Sequence, residues 1–113
     1  MCARCSVSSF EELAATSFQI IAAVGTARSL YIEAIQQAKA GDFDAAEKCM
    51  AEAADVYVQG HDAHTGLVQA EAAGVPTDMC LMLTHAEDQL MSAEGFGILA
   101  REFIDVYKTI KCE

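Results

Sequence analysis

The chain lacks tryptophan, has a single proline (Pro76), and carries only seven lysines and arginines in 113 residues. With so little proline, long stretches are free to stay helical, because a proline inside a helix costs about 3 kcal/mol. The basic residues face 17 aspartates and glutamates, for a net charge of −10. That balance argues against nucleic acid, since neutralising phosphates needs a basic surface, and equally against an anionic membrane. It permits a basic or polar protein partner found with electrostatic help. No uncharged apolar run approaches the ~20 residues of a spanning helix. Met1-Cys2-Ala3-Arg4-Cys5-Ser6 lacks the apolar core of a secretory signal. The expectation is a cytoplasmic protein with no direct membrane insertion.

The five cysteines, Cys2, Cys5, Cys49, Cys80 and Cys112, are odd in number and irregularly spaced. In a reducing compartment they form no disulfide framework. The lone CxxC of Cys2 and Cys5 is weak as a zinc motif without a second pair. It reads as two free thiols on a frayed terminus.

What the chain has in quantity is small apolar side chains, much of the 53% hydrophobic content being alanine. Alanine-rich, proline-poor sequence favours closely packed helices. The length fits one domain, residues 9–113, behind a flexible N-terminus of residues 1–8. The first helix is expected from about Ser9 to Ala40, with Ser9 and Glu12 at capping-box spacing. Its small and apolar residues fall at Leu13, Ser17, Ile20, Val24, Ala27, Tyr31, Ala34 and Ala38, in the alternating steps of three and four that a bundle seam requires. Gly41 is suited to end it in a left-handed turn.

Asp42 or Asp44 starts a second helix, Asp44 with Glu47 again at capping-box spacing. It runs to about Ala73 through Ala45, Cys49, Ala53, Val56 and Leu67. Gly60 and Gly66 lie inside it, each costing about 1 kcal/mol against alanine, and would allow a neighbour to approach closely. Gly74-Val75-Pro76-Thr77 punctuates the pattern. A third helix is expected from Thr77 or Asp78 to about Lys111, its seam marked by Met79, Leu83, Ala86 and Leu90 and continued by Leu99, Phe103, Tyr107 and Ile110. Two short turns make the architecture all-α, an antiparallel three-helix up-down-up bundle. Helices of about 30 residues are roughly 45 Å long. A lone bundle of that length exposes much apolar surface, which pairing with copies of itself would cover.

The chemistry concentrates in Leu83-Thr84-His85-Ala86-Glu87-Asp88-Gln89-Leu90-Met91. On a helix, His85 shares a face with Asp88 and Gln89, and the polar stripe runs on to Ser92. Imidazole handles protons and charged groups near neutral pH, so His85 could be a metal ligand, a general base or a phosphoryl carrier. Most such pairs on helices are merely solvated. His61 and His64 share a face of the second helix. With His85 and Asp88 they could form a metal site, as imidazole and carboxylate suit zinc or iron, though no matched Glu-x-x-His pair of a di-iron bundle is present. Met79, Met82 and Met91 read as core filler. Glu11, Glu12, Glu33, Asp42, Asp44 and Glu47 read as a solvated face and helix caps. No glycine loop that would cradle phosphate appears, and nothing singles out a nucleophilic serine.

Four blocks, in order, resemble a known family. Gly25-Thr26-Ala27-Arg28-Ser29 with Gly41-Asp42-Phe43, His61 with Thr65-Gly66-Leu67, His85-Ala86-Glu87-Asp88-Gln89-Leu90-Met91, and Phe103-Ile104-Asp105-Val106-Tyr107-Lys108 resemble the lactose/cellobiose-type IIA component of the sugar phosphotransferase system. The likeness covers nearly everything beyond Phe10. It implies three-helix protomers assembled as a homotrimer. It further implies a phosphoryl group accepted from the phosphocarrier HPr on a histidine and passed to a cysteine of the IIB component for disaccharide uptake. By motif, His85 is the expected phosphorylated residue. Asp88 is the expected ligand of a divalent metal on the threefold axis, expected as Mg2+, one per trimer. Three carboxylates converging on an axis repel, and a shared hard cation relieves this. Glu87 stands where the family commonly has glutamine, Gln89 where it often has histidine, His64 where glutamine is usual, and Gly95 and Gly97 where larger residues are usual. The remaining alternative is a non-enzymatic bundle, either metal-binding through His61, His64, His85 and Asp88 or regulatory.

Overall fold

The computed structural model describes the backbone of residues 3–111 and the side chains of residues 10–111. Cys2, Cys112 and the side chain of Cys5 lie outside the described residues. Three helices, α1 (Ala3–Lys39), α2 (Phe43–Ala72) and α3 (Leu81–Lys111), form a rod of 68 × 21 × 19 Å. No strand occurs among the described residues. The tip of Lys111 comes near Gly41, so α3 runs parallel to α1 and α2 runs antiparallel to both. α1 is the central element, in extensive contact with both others, while α2 and α3 meet along a thinner seam.

All eight positions expected as the seam of α1, Leu13 to Ala38, are buried. Ser17, the polar member, satisfies its hydroxyl by donating to the Leu13 carbonyl at 2.8 Å. α1 reaches back to Ala3, so Ser9, expected as its cap, lies inside it. Nothing between Ala3 and Ser9 is a glycine or proline that would stop the helix. The other end follows expectation. Gly41 adopts φ 89°, with its N–H on the Ala38 carbonyl and that of Asp42 on the Gln37 carbonyl. These two bonds define a Schellman motif. Gly74, at φ 94°, closes α2 the same way, with Gly74 bonded to Glu71 and Val75 to Ala70.

Asp42, not Asp44, caps α2, its Oδ1 accepting the Ala45 N–H at 3.0 Å. Glu47 is therefore no capping-box partner, nor merely solvated. Its carboxylate takes both Arg101 Nη atoms at 2.6 and 2.8 Å and Lys108 Nζ at 3.3 Å, pinning α2 to α3. The Arg101 hydrogen bonds lead in lowering its pKa to about 2. The fully buried line of α2 is Ala46, Ala53 and Gly60, at seven-residue steps, with Cys49 and Val56 only half-buried beside it. Gly60 permits the close approach expected of it: a Cβ there would lie 2.8 Å from Val24 Cγ1. Gly66 faces open space.

α3 departs most from expectation. It starts at Leu81, three or four residues after the expected start at Thr77 or Asp78, and Val75–Cys80 before it is not helical. Pro76 holds the residue before it extended, and the segment crosses the end of the bundle before turning. Leu83, Ala86 and Leu90 are buried as expected, but the seam continues through Ala93, Ala100 and Ile104. Leu99, Phe103 and Ile110 are 57, 46 and 58% exposed, and Met79 is 59% exposed. α3 carries two apolar stripes, and the slimmer, alanine-rich one faces inward because it lets helices approach closely. Gly97 sits on that inner stripe, where a Cβ would lie 2.8 Å from Tyr31 Cζ, whereas Gly95 meets nothing. No described helix is long and apolar enough to cross a membrane.

Candidate histidine site

The late start of α3 brings His85 into its second turn. The first helical bond of α3 runs from the Thr84 N–H to the Cys80 carbonyl at 3.0 Å. His85 is exposed and forms one wall of an open, mostly apolar depression with Phe18, Ile21, Leu81 and Met82. Phe18 and Leu81 expose most of their side chains there. Asp88 is exposed one turn further along the same face. Within the described residues no hydrogen bond or ion pair engages His85 or Asp88. Asp88 lies on the outward stripe that also displays Leu81, Met91, Leu99 and Val106, all exposed.

The residues flanking His85 are spoken for by different helices. Glu87 Oε2 pairs with His64 Nε2 on α2 at 2.6 Å. Gln89 Oε1 accepts a hydrogen bond from Arg28 Nη1 on α1. The depression beside His85 lies against α1, so the Glu87 carboxylate, engaged on the α2 side, is not aimed at it.

The four-residue metal site considered from the sequence does not form. His64 is committed to Glu87. His61 is exposed, its ring 6.1 Å from that of Tyr57 and its Nδ1 3.9 Å from Asp62. Among the described residues of one chain, no three His, Cys, Asp or Glu side chains come together to hold a metal. Asp88 is a different case. Its donors are hard carboxylate oxygens, free and facing outward, and suit a cation shared among copies of the chain. Sequence reasoning missed Arg28 and the apolar rim of Phe18, Ile21, Leu81 and Met82. The available signal for Arg28 was its position as the only basic residue in the middle of a long, otherwise uncharged stretch of α1.

A three-helix bundle that displays an unpaired histidine in an open apolar depression, with an acid one turn on, presents its candidate chemistry at the surface and not in an enclosed pocket. Residues 15–108 match the family model described as PTS system, Lactose/Cellobiose specific IIA subunit, and the chain belongs to this family. It is 41% identical over 100 residues to the lichenan-specific phosphotransferase enzyme IIA component of Bacillus subtilis (strain 168), covering 88% of this chain and 91% of that protein. Among solved structures it is similar to the PTS cellobiose-specific enzyme IIA from Bacillus anthracis, with TM-score 0.84 and 40% identity over 87% of this chain and 90% of the other. It is also similar to the IIA(chitobiose) of the complex with HPr from Escherichia coli, with TM-score 0.76 and 31% identity over 88% of this chain and 96% of that one.

Proposed function

We propose that this chain is a cytoplasmic phosphocarrier that takes a phosphoryl group from phospho-HPr on His85 and passes it to a IIB cysteine during disaccharide uptake. The observation that carries the reading is His85 itself: exposed, unpaired and set in an apolar depression open to a docking protein. The likeness to a IIA solved together with HPr supports the choice of donor.

The chemistry needs little from the protein beyond positioning and charge stabilisation. A neutral ring nitrogen of His85 attacks phosphorus as the P–N bond to the donor histidine breaks, and the donor imidazole leaves with that electron pair. The His85 ring then sheds its single N–H proton to solvent, and the donor ring takes one up. In the next step a IIB thiolate attacks the same phosphorus, and His85 leaves as the neutral ring once reprotonated. Protonated imidazole has no lone pair to offer, so uptake falls at low pH.

The outward apolar stripe of α3 supports assembly as a homotrimer, since contiguous exposed apolar surface marks interaction sites. In that assembly Asp88 from each copy would hold a divalent cation, Mg2+ being the expected ion, which offsets the mutual repulsion of the three carboxylates. The regulatory alternative rested on the changes at Glu87 and Gln89, and the Glu87–His64 pair argues against the part carried by Glu87. Incubation with enzyme I, HPr and phosphoenolpyruvate, followed by intact mass, tests the function. The expected result is a gain of one phosphoryl group, absent in His85→Ala. No gain in the unaltered chain would refute it.

A further inference from the structure

Arg28 has a place in the fold that packing alone does not explain. Its guanidinium is half-buried on α1 and donates through Nη1 to the amide oxygen of Gln89. Gln89 lies four residues beyond His85, so the two side chains are neighbours on α3, with Cβ atoms about 5–6 Å apart. Side chains on a helix lean toward its N-terminus. α1 and α3 run parallel, so Arg28 leans along α1 toward the level of Ile21 and Phe18, which wall the depression beside His85.

The partner's chemistry matters as much as its position. A carboxylate at residue 89 would neutralise the guanidinium. An amide orients it, occupies one of its five N–H donors, and leaves the charge uncompensated. The other described cations are not available. Arg101 and Lys108 are bound to Glu47. Lys39, Lys48 and Lys111 lie toward the far end of the bundle, where α1 turns into α2. In a chain of net charge −10, an uncompensated cation tied to the residue one helical turn beyond the candidate acceptor suits an anion. Arginine suits a phosphoryl group, because its planar fork meets two oxygens at once.

We propose that Arg28, oriented by Gln89, binds the phosphoryl group carried on His85. The inference rests on His85 as the acceptor. Arg28 forms and breaks no covalent bond. Its remaining N–H donors engage phosphoryl oxygens as the P–N bond to His85 forms and release them when the group leaves for the next thiolate.

The test uses the full chain with phospho-HPr and follows the equilibrium level of phosphorylation by intact mass and the environment of phosphorus by 31P NMR. Arg28→Gln is expected to shift the equilibrium toward phospho-HPr by at least about tenfold, the loss of a charge-assisted hydrogen bond, and to move the phosphorus resonance. Arg28→Lys should restore part of the loss, and Gln89→Ala, which keeps the cation, should cost less than Arg28→Gln. A purely structural tie would lower the urea midpoint for both Arg28→Gln and Gln89→Ala while leaving the equilibrium and the resonance unchanged, and that result overturns the proposal. Should Arg28→Gln not fold, the side-chain 15N resonances of Arg28 in the unaltered chain decide: a shift on phosphorylation supports the proposal, and unchanged positions overturn it. Failure of the unaltered chain to be phosphorylated at all would instead sink the reading of His85.

Discussion

His64 on α2 and Glu87 on α3 are joined at 2.6 Å between Nε2 and Oε2, on the α2 side of α3, whereas the depression beside His85 opens against α1. The two side chains thus satisfy each other, and neither is directed at the candidate acceptor.

This pairing gives the first prediction. Glu87→Ala should lower stability by about 1 kcal/mol, the size of a lost side-chain hydrogen bond, and leave phosphoryl uptake from phospho-HPr unchanged. Urea unfolding measures the first effect and intact mass the second. A large fall in uptake would mean that Glu87 acts at the site.

The Glu47 clamp should be visible in acid. Its carboxyl is held at about 2, chiefly by Arg101, below the ordinary value near 4.5. A depressed carboxylate pKa stabilises the fold above the unfolded value, and the contribution is lost as pH falls from about 4.5 toward 2. The pair is partly exposed, so screening limits the effect to about 1 kcal/mol or less. Glu47→Gln should therefore unfold more easily than the unaltered chain at pH 7 but not at pH 2. An equal gap at both pH values would contradict the assignment.

Two glycines of α2 should respond with opposite signs. Gly66→Ala meets open space and should gain up to about 1 kcal/mol of helix propensity. Gly60→Ala forces a methyl to 2.8 Å from Val24 Cγ1 and 3.4 Å from the Ile20 carbonyl. It should lose about 1–3 kcal/mol by overpacking. Thermal unfolding of the two variants side by side checks the order.

Asp88→Leu removes the carboxylate from an apolar outward stripe. The expectation is a trimer that persists, or tightens, without metal. Light scattering in the presence of a chelator reads the outcome, and monomers alone would count against an axial role for Asp88.

The sequence by itself determined the number and type of helices, the buried face of α1 and the glycine stops at Gly41 and Gly74, because these follow from local rules. Alternation in threes and fours specifies a face, and a left-handed residue specifies a stop. It also carried the family likeness and the conspicuous pair His85 and Asp88. Only the tertiary structure decided which apolar stripe of α3 turned inward. Leu99, Phe103 and Ile110 have the right spacing and larger side chains, yet Ala93, Gly97, Ala100 and Ile104 are the ones that fit closely against α1 and α2. Periodicity gives a direction around a helix, not the neighbour found there. The same holds for the charged groups. Glu47, Glu87, Gln89 and Arg28 are ordinary surface residues in a linear sequence, and their partners stand between 23 and 61 positions away. Pairings at that separation are created by packing the helices, which sets what each side chain can reach.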